Sequence, residues 1–156
     1  MSSAPGDVRD LIRRDHEAVL ADLDALPDGD AAETLARLAL VRRKWMIHAL
    51  AEETVVYNAL EGLQGVSSTR AAERFVEHEL VENLFDKLAN GRPNTIEWRA
   101  RLNVLRSLIA RHIEGEHEDL LARLATRFDT ARLHDLGQRF QLARDKLNLL
   151  EEAKAA

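Results

Sequence analysis

His48-Ala-Leu-Ala-Glu52-Glu53 and, further along, His112-Ile-Glu-Gly-Glu116-His117 decide how this chain reads. A histidine and a glutamate four residues apart lie one turn above the other on one helix face, so each pair offers a nitrogen and an oxygen together. Helix surfaces carry such pairs by chance, and their place on the helix decides what they mean. Around the first pair, Leu38, Val41, Trp45, His48, Glu52, Val55 and Ala59 alternate intervals of three and four, the spacing of a stripe that faces a core. Leu102, Leu105, Ile109, His112, Glu116 and Leu120 do the same around the second. Phe75, His78, Glu82, Phe85 and Ala89 form a third stripe, and Ile12, His16, Val19, Leu23 and Leu26 a fourth. Four helices thus each send one histidine inward.

Breaks and caps give the helix ends. The first helix runs from about Asp7 to Leu26 and stops at Pro27-Asp28-Gly29; Asp30 and Glu33 have capping-box spacing before a second that reaches about Glu61. Gly62-Leu-Gln-Gly65 ends that helix. Ser67 or Ser68 caps a third, which Asn90-Gly91-Arg-Pro93 terminates, and Asn94 with Glu97 suggests the capping box of a fourth that runs to about Arg127. Asp129-Thr130 precedes a fifth segment. Connections this short favour antiparallel neighbours, so the expected fold is all-α: an up-down-up-down four-helix bundle over residues 1–128, with an additional C-terminal helix over 129–156. In that last helix Leu133, Leu136, Phe140, Ala143, Leu147 and Leu150 repeat at threes and fours, a stripe to be docked on the bundle or used for association, as a monomer or weak homodimer.

Composition sets outer limits. The chain has 156 residues, enough for one sizeable core, with three prolines, seven glycines and no cysteine. Without cysteine there is no disulfide, thiolate-held cluster or thiol nucleophile, so any metal is held by nitrogen and oxygen. The start lacks a basic and apolar leader and no run is long enough for a membrane span, which points to a cytoplasmic protein without membrane contact. A formal net charge of −5 with the two signs interspersed argues against nucleic acid as a direct partner.

Burying an unpaired ion costs several kcal/mol after relaxation, whereas a domain is stable by only about 5–15 kcal/mol. Four inward histidines with two or three carboxylates need compensation. For a single histidine, a self-satisfied buried network or a seam turned partly to solvent is the simpler reading; one histidine per helix at bundle spacing favours metal. His16 precedes His48 much as His78 precedes His112, and each second histidine has a glutamate four residues on. Two helical hairpins, each giving two histidines and one glutamate, would face one another across a pseudo-symmetric site. Glu114 and His117 alone have the Glu-x-x-His order of ferritin-like bundles, and one copy is not a site.

The series His16, His48-x-x-x-Glu52, His78, His112-x-x-x-Glu116, with Tyr57-Asn-Ala-Leu60 and Leu120-Leu121 downstream, resembles the hemerythrin-like HHE cation-binding domain over roughly residues 7 to 128. The resemblance implies a non-haem di-iron centre: two iron ions with an oxo or hydroxo bridge, His16, His48, His78 and His112 as terminal ligands, and Glu52 and Glu116 bridging. Manganese or zinc would also suit nitrogen and oxygen ligands. It further implies oxygen, peroxide or another small ligand at the metals, with catalase-like peroxide breakdown as one activity; the alternative is a non-catalytic iron, oxygen or redox sensor acting through the C-terminal helix. Oxygen-carrying hemerythrins have His-x-x-x-His on the third helix, where this chain has His78 and Glu82. Their aspartate lies five residues after the last histidine, where this chain has Glu116 at four. Fewer imidazoles make a harder, more anionic site that favours ferric iron over reversible oxygen binding. Glu82 is either a seventh ligand or set back from the metals. Tyr57 reads as a boundary residue or a hydrogen-bond donor at the site, Trp45, Phe75, Phe85 and Trp98 as packing, and His117 as exposed or supporting. His134 has no assigned role, and no residue is singled out as catalytic.

Overall fold

A computed structural model describes residues 6–62 and 68–156. The expected breaks at Leu63, Gln64 and Gly65, and the Ser67 cap, lie outside these residues. All regular structure among them is helical: α1 (Val8–Asp24), α2 (Ala31–Ala51), a π-helical turn (Glu52–Tyr57), α3 (Asn58–Glu61), α4 (Thr69–Ala89), α5 (Ile96–Gly115), a second π turn (Glu116–Leu120), α6 (Leu121–Arg127) and α7 (Thr130–Ala155). The segments α2 to α3 and α5 to α6 are each one continuous rod, so the bundle proper has four. None of the helices is long and apolar enough to cross a membrane.

The ends follow local chemistry. Asp7, Asp30, Ser68 and Asp129 each accept a bond from a backbone N–H in the first turn of their helix, satisfying donors that have no partner inside it. The fourth rod differs from expectation: Thr95, not Asn94, is its cap and accepts from the Trp98 N–H at 3.2 Å. Asn94 has φ 68°, and its amide donates to the Gly29 carbonyl at 2.9 Å, tying together the two turns at that end of the bundle. Gly62, at φ 64°, ends α3 in the left-handed region that other residues rarely enter.

Two apolar clusters form the core. One contains Val19, Leu23, Val41, Trp45, Val81, Phe85, Leu105 and Ile109; the other contains Val8, Ile12, Val56, Leu60, Leu120, Leu124, Leu136 and Phe140. Along α1 the chain passes from the second cluster to the first, along the α2 rod from first to second, and the α4 and α5 rods repeat the alternation. That is the up-down-up-down order. Every rod changes cluster within a few residues of its histidine, so the polar residues form a layer between two apolar halves. Burial at about 25 cal/mol per Å² of apolar surface drives both halves together and forces the layer inward.

The stripes hold up to the glutamates and then slip. After Glu52 the buried residues are Val56, Tyr57 and Leu60, while Val55 and Ala59 are half-buried. In an α-helix Tyr57 would stand about 140° around from Glu52; the i to i+5 bonding of the π turn brings it back above the glutamate. On α4 the buried face is Ala71, Arg74, His78, Val81, Phe85 and Leu88, so Phe75 and Glu82 lie at its edge and Ala89 is exposed. Arg74 takes the inner place because its charge is paired with Asp119 and its guanidinium lies over the Tyr57 ring at 6.0 Å.

The C-terminal helix docks along α1 and α2, with Leu133, Leu136 and Phe140 buried, Ala143 and Leu147 half-buried, and Leu150 exposed. Gly137 makes this possible: a β-carbon there would stand 2.1 Å from the Gly6 carbonyl oxygen.

Candidate metal centre

All six residues singled out by the sequence meet in the polar layer, and none is more than 4% exposed. Their ligand atoms form two groups, His16, His48, Glu52, Glu116 and Glu52, His78, His112, Glu116, each with its atoms within 4.8 Å of one another. Both groups contain both glutamates. The Nε2 atoms of His16 and His48 are 3.0 Å apart, and those of His78 and His112 are 3.2 Å apart. Glu52 Oε2 stands 3.2 Å from His48 Nε2 and 3.8 Å from His78 Nε2; Glu116 Oε2 stands 3.3 Å from His16 Nε2 and 3.4 Å from His112 Nε2.

The Nδ1 side of each ring explains its orientation. His48 Nδ1 donates to Asp15 at 3.1 Å, His112 Nδ1 to Glu77 at 2.7 Å, and His78 Nδ1 meets Glu53 at 2.8 Å. His16 Nδ1 pairs with His117 Nε2 at 3.0 Å. A carboxylate on Nδ1 fixes the tautomer and turns the Nε2 lone pair to the centre, the arrangement that supports metal-bound histidine. The repeat governs this too. The acid just before the first histidine of each hairpin, Asp15 or Glu77, holds the second histidine of the same hairpin. The residue just after each glutamate, Glu53 or His117, reaches the first histidine of the other hairpin.

Tyr57 breaks the symmetry. Its hydroxyl donates to Glu116 Oε1 at 2.6 Å, and it is buried rather than at the boundary. Leu121, five residues after Glu116, offers Glu52 no counterpart. Glu52 Oε1 and Oε2 and Glu116 Oε2 are consequently buried without a hydrogen-bond donor among the described residues. A buried carboxylate without donors is costly, and two lone-pair nitrogens facing one another at 3.0 Å repel unless something positive lies between them. Cations answer both problems, so the donor set fits metal.

Protonation in the cation-free protein follows the same logic. Burial opposes charge on His48, but Glu52 and Asp15 overcome it and push the ring up to about 10. Against the same opposition, Glu116 and Glu77 push His112 up to about 9. His16, where burial dominates, is lowered. Burial would raise Glu116, yet His112 and His16 hold it well below its usual range; Tyr57 is raised well above by burial and the two glutamates.

Glu82 does not join. It bonds Arg42 Nε at 3.2 Å and is raised by burial. His117 is exposed yet supports His16, and His134 is exposed. Trp45 lies over the centre, with its ring centroid 6.1, 5.6 and 5.4 Å from those of His48, His78 and His112. A cleft of about 860 Å³ between α4 and α5 reaches His112 and Glu116. The stripes do not single out Asp15, Glu53, Glu77 or Arg144 as supports; the first three leave a sequence trace as an acid next to a ligand.

A family model for the hemerythrin HHE cation-binding domain matches residues 7–124. A protein of Nostoc sp. named DNA nickase is 21% identical over 141 residues, covering 90% of this chain and 40% of its own length. The chain thus spans well under half of that relative. No solved structure matches.

Proposed function

The chain belongs to the hemerythrin HHE cation-binding family, and on that premise we propose that it holds two iron ions and meets oxygen or peroxide at them, with breakdown of peroxide to water and oxygen as its activity. One observation carries the assignment: two buried clusters share both glutamates, and three oxygens of those glutamates have no donor among the described residues. His16 and His48 would hold one ion, His78 and His112 the other, and Glu52 and Glu116 both. Bound iron supplies exchange of electrons between its ferrous and ferric states.

The protein's own part is access, dryness and orientation. The cleft between α4 and α5 leads a small molecule to the His112 side. Trp45 and Phe140, both fully buried, cover the centre elsewhere, while a smaller cleft of about 220 Å³ reaches His48 beside Asp15 and Arg144. Tyr57 Oη, held un-ionised, fixes Glu116 by donating to Oε1. Glu82 turned toward Arg42 leaves the set one ligand poorer on the third rod than in oxygen carriers, which supports reaction over reversible carriage.

Anaerobic loading with ferrous iron, elemental analysis and oxygen evolution from peroxide test this. About two irons per chain are expected, with evolution above that of free iron and lost in His112→Ala. Fewer than about one iron per chain would end the metal assignment. Two irons without activity would favour the second reading, a sensor, for which the contact of Phe140 on α7 with the His48 ring speaks.

Strand cleavage is not carried over from the nickase, whose length this chain covers by 40%. A net charge of −5, with basic and acidic residues interspersed, argues against a polyanion as partner. Iron-loaded protein should leave supercoiled plasmid intact without peroxide; nicking abolished by His112→Ala would reverse this.

A further inference from the structure

The His16 and His48 side of the centre draws support from outside the four rods. The family match ends at residue 124, and α7 begins at Thr130. From this helix Phe140 stands edge-on to the His48 ring with centroids 6.0 Å apart. Arg144, on the next turn, lies over Phe140 at 5.5 Å and pairs with Asp15 Oδ1; Gln141 Oε1 accepts from its other nitrogen at 2.6 Å. The second oxygen of Asp15 takes the His48 Nδ1–H. Asp15 is thereby held at both oxygens, one by each partner. Glu53 and Glu77, which hold the other pair of histidines, make no ion pair with a guanidinium among the described residues, though the charge of Arg111 acts on Glu77; Glu77 lines the cleft of about 860 Å³ and Asp15 a smaller one of about 220 Å³.

We propose that α7 is a working part of the metal centre: Arg144 and Phe140 are positioning residues that fix His48, through Asp15 and by ring contact, and make the His16–His48 position the tighter of the two. The proposal rests on the metal reading above. Its physical content is pre-organisation. A carboxylate pinned at both ends cannot swing to solvent, so the imidazole it holds keeps its lone pair on the centre, and losing such a support typically weakens metal binding about 10–100-fold.

The test is stepwise titration of the metal-free full chain with zinc or cobalt(II) against a competing chelator. The natural chain should take up two ions in unequal phases. Arg144→Met should weaken the tight phase at least tenfold and leave the other unchanged, and Arg144→Lys should restore part of the loss. Glu77→Gln should weaken the other phase. Arg43→Ala, which releases the far end of α7 at Asn148 and Glu152, should leave both phases as they are. Equal loss in both phases for Arg144→Met, or the same loss in Arg43→Ala, would reduce α7 to general support and overturn the proposal. The imidazole ¹⁵N spectrum of metal-free protein gives a readout independent of loading. Arg144→Met should shift the His48 Nδ1–H signal; an unmoved signal refutes the positioning role even if no ion binds to the natural chain, a failure that would belong to the metal reading.

Discussion

Loading the metal-free protein with two divalent ions should expel two protons per chain. The number comes from the gaps between imidazoles. Nε2 faces Nε2 at 3.0 Å between His16 and His48 and at 3.2 Å between His78 and His112, and each gap needs one proton to be attractive. His48, pushed up to about 10, and His112, to about 9, supply them, while His16 stays neutral. Near pH 7.5 both protons are in place, and a cation in each half displaces one. Each released proton makes apparent affinity about tenfold stronger per pH unit, so uptake of the pair should strengthen about 100-fold per unit between roughly pH 6.5 and 9. Calorimetric titration with zinc in buffers of different ionisation enthalpy counts the protons directly. Release should fall above pH 9 as the gaps empty, whereas protons lost from a metal-bound water would grow in number with pH. A count near zero at pH 7.5 with both ions bound would refute the reasoning, because the imidazoles would then face one another without a shared proton.

Three further outcomes follow from the geometry. Tyr57→Phe removes the hydroxyl that donates to Glu116 Oε1 and should cost about 2 kcal/mol of metal-free stability, since that oxygen of an ionised carboxylate is left buried without its donor, with a smaller loss once metal is bound; chemical denaturation with and without metal measures both. Gly137→Ala drives a methyl group into the Gly6 carbonyl and should cost about 1–3 kcal/mol, read as a lower Tm; an unchanged Tm would mean that α7 is not seated against α1 as described. Metal-free protein should be most stable near pH 6.5. His48 and His112 lie above their ordinary 6.5 in the fold, so their contribution is complete below that pH and is lost as pH rises through 9 and 10. His16, lowered, withdraws stability as pH falls below 6.5, and Glu116 does so below its ordinary 4.5. Thermal melts across pH with chelator present check this, and a metal-free optimum at pH 9 would contradict it.

The helices and the meeting of six ligands were legible because α-helical spacing persists up to Glu52 and Glu116. Beyond them the chain makes an i to i+5 turn that no hydrophobic stripe announces, and the buried side moves from Val55 and Ala59 to Val56, Tyr57 and Leu60. The spacing therefore leaves Tyr57 open between the boundary and the site, where it in fact bonds Glu116. On α4 the inner residue is Arg74, buried by a pair with Asp119 and a ring contact with Tyr57, and a pattern built on apolar residues passes over a charged one. Asp15, Glu53 and Glu77 each touch a histidine on another helix, a relation fixed by packing between rods and absent from the spacing along any one of them.

The polar layer that parts the two apolar clusters also bears on motion. Neither half of the core is continuous with the other except along the helices and across the ligand set, so the metal-free chain has its weakest cooperativity at mid-height, where opening of one half need not carry the other. Ions shared by both hairpins would rivet that seam. Amide exchange of α6 and of the first turns of α1 and α7 would then be tied to that of the far half, and the protein would pass from two loosely joined folding units to one.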